Sequence, residues 1–148
     1  MSNEFGELYY LWKKNQSQSI FMGHLKEYEC PCKFDSCNMQ KIAVPLVQKL
    51  AKIRTKMKKP LKVTNGYRCA AYQEDLRKRG YETSVGPSQH ELGRAADIVC
   101  PGATAYDFAA MLSYCEEEFK SIGEGLSFLH VDLRDDKPKR RWYYGIRK

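Results

Sequence analysis

The sequence predicts an α+β fold in which a small antiparallel sheet packs against helices. Two long segments carry apolar residues every three or four positions, which indicates helices with one buried face. Several short segments alternate apolar and polar residues as half-buried strands do, and short links containing glycine or proline separate them from the helices. With 148 residues, of which 43% are hydrophobic, the chain is long enough to bury a core. We therefore expect a single domain over residues 1–148.

The N-terminal part carries an arm and a cysteine cluster. Residues 1–28 mix aromatic and polar residues, and we expect an N-terminal arm or a short helix there. The segment "CPCKFDSC" at 30–37 has the spacing C-x-C-x4-C, which is not a standard zinc-finger pattern. Its thiols and that of Cys69 either hold a structural metal or a disulfide, or pack as reduced, buried groups. The cluster consists of Cys30, Cys32 and Cys37.

The first long helix is predicted from a repeat of apolar residues between Lys41 and Lys58. Pro45 is tolerated only in the first turn of a helix, so we expect the helix to begin around residues 43–45. The apolar positions that define its buried face are Ile42, Leu46, Leu50, Ile53 and Met57.

The rest of the chain alternates predicted strands and helices. Gly80 is expected to end a short helix, and Thr104 is a suitable N-cap for the second long one. In chain order we expect a strand over 61–68, a helix over 70–80, a loop over 81–89, a strand over 94–99, a helix over 104–120, and strands over 127–134 and 141–146.

The net charge of +7 and the pI of about 9.1 favour contact with polyanions such as cell-wall polymers, nucleic acids or membrane surfaces. The alternative is a surface that is charged only for solubility. The basic residues are spread along the chain and no nucleic-acid motif frames them, so we expect no specific nucleic-acid partner. No apolar run reaches the roughly 18–20 residues that span a membrane, and the N-terminal stretch does not resemble a secretion signal.

Ionisable side chains gather on one face of the predicted strands. Side chains at i and i+2 share a face of a strand, so His130, Asp132 and Arg134 lie on one side of "FLHVDLR". A buried strand tolerates such groups only where they find partners. A zinc ion is a suitable partner, since catalytic zinc sites commonly use three protein ligands and keep a fourth position open. The candidate ligands are His90, Asp97 and His130.

The segments "VTNGYRC", "SQHELGRAADI" and "SFLHVDLR" together closely resemble the zinc peptidases of the M15 type. That group includes bacterial D-alanyl-D-alanine carboxypeptidases and phage endolysins that cut the peptide stems of peptidoglycan. The resemblance covers about residues 40–134 and extends more weakly to "ECPCKFDSC", which is similar to the phage-associated branch. Asn65 replaces the usual serine of the first motif. The resemblance implies a fold like that of these peptidases and of the hedgehog signalling domain.

The resemblance also implies roles for individual residues. Zinc is the expected cofactor, with His90, Asp97 and His130 as its ligands. Arg68 matches the family's arginine, which holds the substrate carboxylate or the oxyanion of the tetrahedral intermediate. Ser88 and Gln89 are expected to line the substrate cleft, although Ser88 could instead only shape the turn.

The general base is the point at which the chain departs from the family. Several members carry an acid three residues before the last histidine ligand, where this chain has Ser127. Two other acids could accept the proton. Glu124 is favoured, because we expect it in a glycine-flanked loop, and the hedgehog domain is similar in placing a glutamate six residues before its histidine. Asp132 is the alternative base, or it orients a ligand or Arg134.

The predicted function is hydrolysis of amide bonds in peptidoglycan stem peptides by a zinc-dependent phage endolysin or virion-associated lysin. Such an enzyme would stay in the host cytoplasm until release to the cell wall, or travel with the virion. We expect a monomer that does not insert into membranes. The alternative is a zinc-stabilised binding or structural module that keeps the ligands but has lost the base.

Overall fold

The structure, a computed structural model, describes residues 5–13, 39–81, 88–135 and 139–144. Three helices and seven strands lie in these ranges. The cysteine cluster at 30–37 lies outside the described residues. Within the ranges given, every helix is too short or too polar to cross a bilayer.

The elements confirm the predicted α+β class. The helices are α1 (Val44–Met57), α2 (Ala70–Lys78) and α3 (Ala105–Glu118). The strands are β1 (Tyr9–Lys13), β2 (Met39–Ala43), β3 (Lys62–Asn65), β4 (Ala95–Val99), β5 (Ser121–Glu124), β6 (Leu129–Asp132) and β7 (Arg140–Tyr143). β1 and β2 form an antiparallel pair, and the other five strands form a sheet in the order β3-β4-β6-β5-β7. Only the β5–β7 pairing in this sheet is parallel.

The two long helices follow the sequence pattern closely. α1 begins at Val44 with Pro45 in its first turn, as expected. The Thr104 side chain accepts a hydrogen bond from the Asp107 amide, and the Asp107 carboxylate accepts one from the Thr104 amide, which forms a capping box at the start of α3. The buried residues of α1 are Leu46, Val47, Leu50 and Ile53.

The core lies between these helices and one face of the larger sheet. Apolar side chains of neighbouring strands point into it, among them Val63, Ala96, Ile98, Ile122, Leu129 and Val131. Because side chains alternate along a strand, the residues between these positions lie on the other face. That second face carries the polar groups of β4, β5 and β6.

Two strands differ from the predictions. The prediction of an arm or a helix within 1–28 is wrong for residues 9–13. These residues form β1, which pairs with β2. The loop expected around Glu124 is also wrong, since Glu124 is the last residue of β5. Both strands are short and depend on partners far away in sequence, so no local periodicity reveals them.

Candidate active site

Three buried side chains from two strands and one turn meet on the polar face of the sheet. His90 lies in the turn before β4, Asp97 is in the middle of β4, and His130 lies directly opposite Asp97 in β6. One ligand atom from each residue lies within 4.8 Å of the other two. Asp97 Oδ1 is 3.4 Å from His90 Nε2 and 3.0 Å from His130 Nδ1. The structure therefore brings together the predicted ligand set.

Gly93 allows the chain to turn from His90 into β4. Its φ is +73°, a backbone conformation that residues other than glycine rarely adopt. A Cβ there would lie 3.1 Å from the carbonyl oxygen of Lys41. The Gly93 amide donates to the His90 carbonyl, and the Gly93 carbonyl accepts from Ala43. A glycine is required at this position because the conformation and the space both exclude a side chain.

A backbone carbonyl sets the proton position on His90. His90 Nδ1 lies 2.7 Å from the carbonyl oxygen of Gly66 in the turn after β3. A carbonyl oxygen only accepts, so Nδ1 carries a proton and Nε2 is the nitrogen that would bind a metal.

Asp132 sets the proton position on His130 in the same way. His130 Nε2 lies 2.8 Å from Asp132 Oδ2, so Nε2 carries a proton and Nδ1 is the nitrogen that would bind a metal. The Asp132 side chain is fully buried. Its Oδ2 also accepts from Ser121 Oγ at 2.9 Å, and Arg134 donates to both carboxylate oxygens. This arrangement matches the ligand-orienting alternative for Asp132.

Asn65 and Arg68 both interact with the second carboxylate oxygen of Asp97. Asn65 Nδ2 donates to Asp97 Oδ2 at 3.2 Å, and Arg68 Nη2 lies 3.6 Å from the same oxygen. Asp97 Oδ1 is thereby left to face the two imidazoles. Asn65, which stands where the resemblance expects a serine, thus acts as a hydrogen-bond donor to a candidate ligand.

The electrostatics of the site favour an anionic Asp97. Burial raises the pKa of Asp97, but the hydrogen bonds to His130 and His90 outweigh burial and hold the pKa well below its usual range. Burial lowers the pKa of His90, which favours the neutral imidazole that a metal requires. For His130, burial lowers the pKa, but the hydrogen bonds to Asp132 and Asp97 outweigh it and raise the pKa.

The donor set fits a zinc ion. Two imidazole nitrogens and one carboxylate oxygen, each oriented by an outer hydrogen bond, are the ligands that catalytic zinc sites use. His130 Nδ1 lies 3.0 Å from Asp97 Oδ1. Without a metal, a proton on Nδ1 bridges these two atoms, and a bound cation would take the place of that proton. A divalent cation can bind all three ligand atoms at once.

The other predicted site residues have well-defined contacts. The Arg68 side chain is 15% exposed, and its Nε is buried without a hydrogen-bond partner among the described residues. Ser88 Oγ accepts from the Glu91 amide at 3.2 Å, as expected if it shapes the turn. Gln89 Oε1 accepts from Arg94 Nη1 at 2.7 Å. The cleft-lining role of Ser88 and Gln89 therefore stays a prediction.

Glu124 lies on the opposite face from the ligands. Ser121 and Gly123 of β5 pair with Asp132 and His130, whereas Glu124 pairs with Leu129 of the core. Alternation places the Glu124 side chain on the Leu129 side of the sheet. Glu124 therefore does not lie in the loop from which it was expected to reach the metal, and its role as the base stays a prediction.

Two aromatic residues near β7 belong to the site and were not identified from the sequence. The ring of Trp142 lies 5.2 Å from that of His130, and the ring of Tyr144 lies 6.3 Å from it. Burial raises the pKa of Tyr144 to about 12. The i, i+2 spacing of these two residues could have placed them on one face, but only the pairing of β7 with β5 shows which face.

Arg94 is a further residue that sequence reasoning missed. Its buried guanidinium binds the Glu7 carboxylate at 2.9 and 3.2 Å and the Leu133 carbonyl at 3.1 Å, in addition to Gln89. It therefore ties the N-terminal segment to the His90 turn and to the end of β6. A buried arginine requires such partners, but nothing local in the sequence reveals them.

Comparison with known proteins agrees with this geometry. No curated protein matches the chain. The family described as Peptidase M15 matches residues 24–132, which is more than half of the chain and includes all three candidate ligands. The chain therefore belongs to the Peptidase M15 family.

Proposed function

We propose that this protein is a zinc-dependent peptidase that hydrolyses amide bonds in peptidoglycan stem peptides, as a phage endolysin or a virion-associated lysin. The observation that carries the proposal is the convergence of three ligand atoms on one point. Each histidine there has its proton held away from that point by an outer acceptor. Membership in a peptidase family supports the hydrolytic class of reaction.

A bound zinc ion supplies Lewis acidity, which polarises the scissile carbonyl and makes water more acidic. His90, Asp97 and His130 would hold the ion, and Asp132 keeps the His130 ring in the correct tautomer. The Arg68 guanidinium, next to Asp97, is the cation available to a substrate carboxylate or to the oxyanion that forms during hydrolysis.

The overall charge supports a cell-wall substrate. A net charge of +7 attracts the protein to anionic polymers at ordinary ionic strength. Stem peptides carry free carboxylates, which suit an arginine at the cleft. These two features favour peptidoglycan over an uncharged peptide substrate.

The test combines cell lysis with identification of the cleaved bond. Bacterial cells with permeabilised outer membranes lose turbidity with wild type, stop doing so after chelation, and resume when zinc is restored. Mass spectrometry of the released fragments identifies the bond. Asp97→Asn, which keeps the size of the side chain, should lose both zinc and lysis, whereas Asp135→Asn, at a residue whose side chain is 78% exposed, should lose neither.

A second candidate is a zinc-stabilised binding module of the same fold. The pairing of Glu124 with Leu129 favours this candidate, since strand alternation directs the Glu124 side chain away from the candidate ligands. Binding of zinc-loaded protein to purified sacculi, with no fragment released from several wall chemistries, would support the binding module and overturn the peptidase.

A further inference from the structure

Trp142 and Tyr144, the aromatic residues beside His130, form one wall of the candidate site, here called the aromatic wall. Gly123, opposite His130 in β5, leaves room for two rings, because a Cβ there would lie 2.5 Å from Trp142 and 2.6 Å from Tyr144. Tyr144 is further held by its amide, which donates to the Glu124 carbonyl at 3.0 Å. Its ring also packs against Phe128 at 5.4 Å. The wall is therefore fixed by backbone pairing as well as by side-chain contacts.

The Tyr144 ring lies on the same side of the sheet as the candidate ligands, 6.3 Å from the ring of His130. The phenol interacts electrostatically with Asp97, Arg68 and Asp132, three residues that lie on the polar face of the sheet. Burial raises the pKa of Tyr144 to about 12, although a hydrogen bond from the Trp142 side chain lowers it. An indole N–H can only donate, so the phenol oxygen is the acceptor in this bond. A phenol oxygen that accepts a hydrogen bond can still donate its own proton.

Part of the Arg68 guanidinium already faces a candidate ligand. One of its terminal nitrogens is drawn to Asp97 Oδ2 at 3.6 Å. A neutral donor such as a phenol does not compete for Asp97 in this way and does not repel a bound cation. Oxyanion sites commonly combine donors of this kind.

We propose that Tyr144 is a catalytic residue whose hydroxyl donates a hydrogen bond to the oxyanion that forms from the scissile carbonyl. The O–H bond of Tyr144 stays intact, so the residue stabilises charge without transferring a proton. The inference rests on the proposed peptidase function and assigns one more residue to that site.

The test compares Tyr144→Phe with Tyr143→Phe in the full chain. Tyr143 is the preceding residue in β7 and pairs with Glu124 on the other face of the sheet, so it controls for the loss of a phenol from the same segment. The substrate is a muropeptide prepared from the wall that wild type degrades. Steady-state hydrolysis gives kcat and KM, and competition with a chromophoric chelator gives the zinc affinity.

We expect Tyr144→Phe to lower kcat about 100-fold with KM and zinc affinity within about twofold of wild type. Tyr143→Phe should match wild type in all three quantities. An unchanged kcat in Tyr144→Phe would overturn the inference, and so would a parallel loss of zinc affinity, which would reveal a structural role. Absence of hydrolysis by wild type and Tyr143→Phe would instead overturn the peptidase proposal, and the inference with it.

Discussion

At the scale of single residues, the site depends on where two protons lie. A backbone carbonyl holds the proton of His90 on Nδ1, and the Asp132 carboxylate holds that of His130 on Nε2. The two histidines consequently present different nitrogens to the same point. The Gly66 carbonyl and the Asp132 carboxylate therefore determine how the two candidate histidine ligands are oriented.

Asp132→Asn tests the orienting role. The amide keeps the size of the side chain but can present its NH₂ group to His130, which disfavours the tautomer that leaves Nδ1 free. We expect zinc affinity to fall about 10- to 100-fold, measured by competition with a chelator. Asp135→Asn is the control with the same chemical change. A zinc affinity equal to that of wild type would contradict the role assigned to Asp132.

Glu124→Gln tests the position of the favoured base. The side chain lies on the Leu129 side of β5, so we expect hydrolysis within about twofold of wild type, since a base needs hydrogen-bond reach of its proton. The measurement is the rate of fragment release from purified sacculi. A loss of about 100-fold or more, with zinc retained, would restore Glu124 as the base.

At the scale of elements, β5 organises the site although it has only four residues. It is hydrogen-bonded to β6 on one side and to β7 on the other. Ser121 donates to Asp132, while Gly123 leaves space for the aromatic wall. One short strand therefore connects the ligand-orienting carboxylate to Trp142 and Tyr144.

Gly123→Ala tests the space that β5 leaves. A Cβ would meet the rings of both Trp142 and Tyr144, so we expect a loss of about 1–3 kcal/mol in the free energy of unfolding and a lower kcat. Urea unfolding followed by tryptophan fluorescence measures the first, and muropeptide hydrolysis the second. Wild-type values for both would show that the wall is not closely packed against β5.

At the scale of the whole molecule, Arg94 joins three parts of the chain. Its guanidinium binds Glu7 near the N-terminus, Gln89 in the His90 turn and the Leu133 carbonyl after β6. The ring of Phe5 also lies 3.8 Å from the guanidinium carbon. The N-terminal segment thus supports the turn and the strand that carry two of the candidate ligands.

Arg94→Lys tests this connection. A lysine cannot reproduce the planar, multiply bonded guanidinium, and it leaves buried acceptors unsatisfied. We expect a loss of about 1–3 kcal/mol in the free energy of unfolding, together with weaker zinc binding. Arg79→Lys, in an exposed pair with Asp75, is the matched control and should change stability by less than about 1 kcal/mol. Equal effects of the two substitutions would exclude a special role for Arg94.

The local sequence pattern was enough to predict much of the fold. The apolar repeat predicts α1, and Thr104 predicts the start of α3. Both signals depend only on residues within one or two helical turns. The strands that carry Asp97 and His130 were recognisable from alternation. The three residues that converge were predicted as a ligand set, because the chemistry of zinc restricts the side chains that can hold it.

Only the tertiary structure decided which face each side chain occupies and which distant residues support the site. The pairing of β5 with β6 and β7 placed Glu124 on the core side and Tyr144 beside His130. The ion pair between Glu7 and Arg94 joins residues 87 positions apart. Strand register and long-range ion pairs are set by packing between segments that are remote in sequence. A local sequence pattern does not identify those partners.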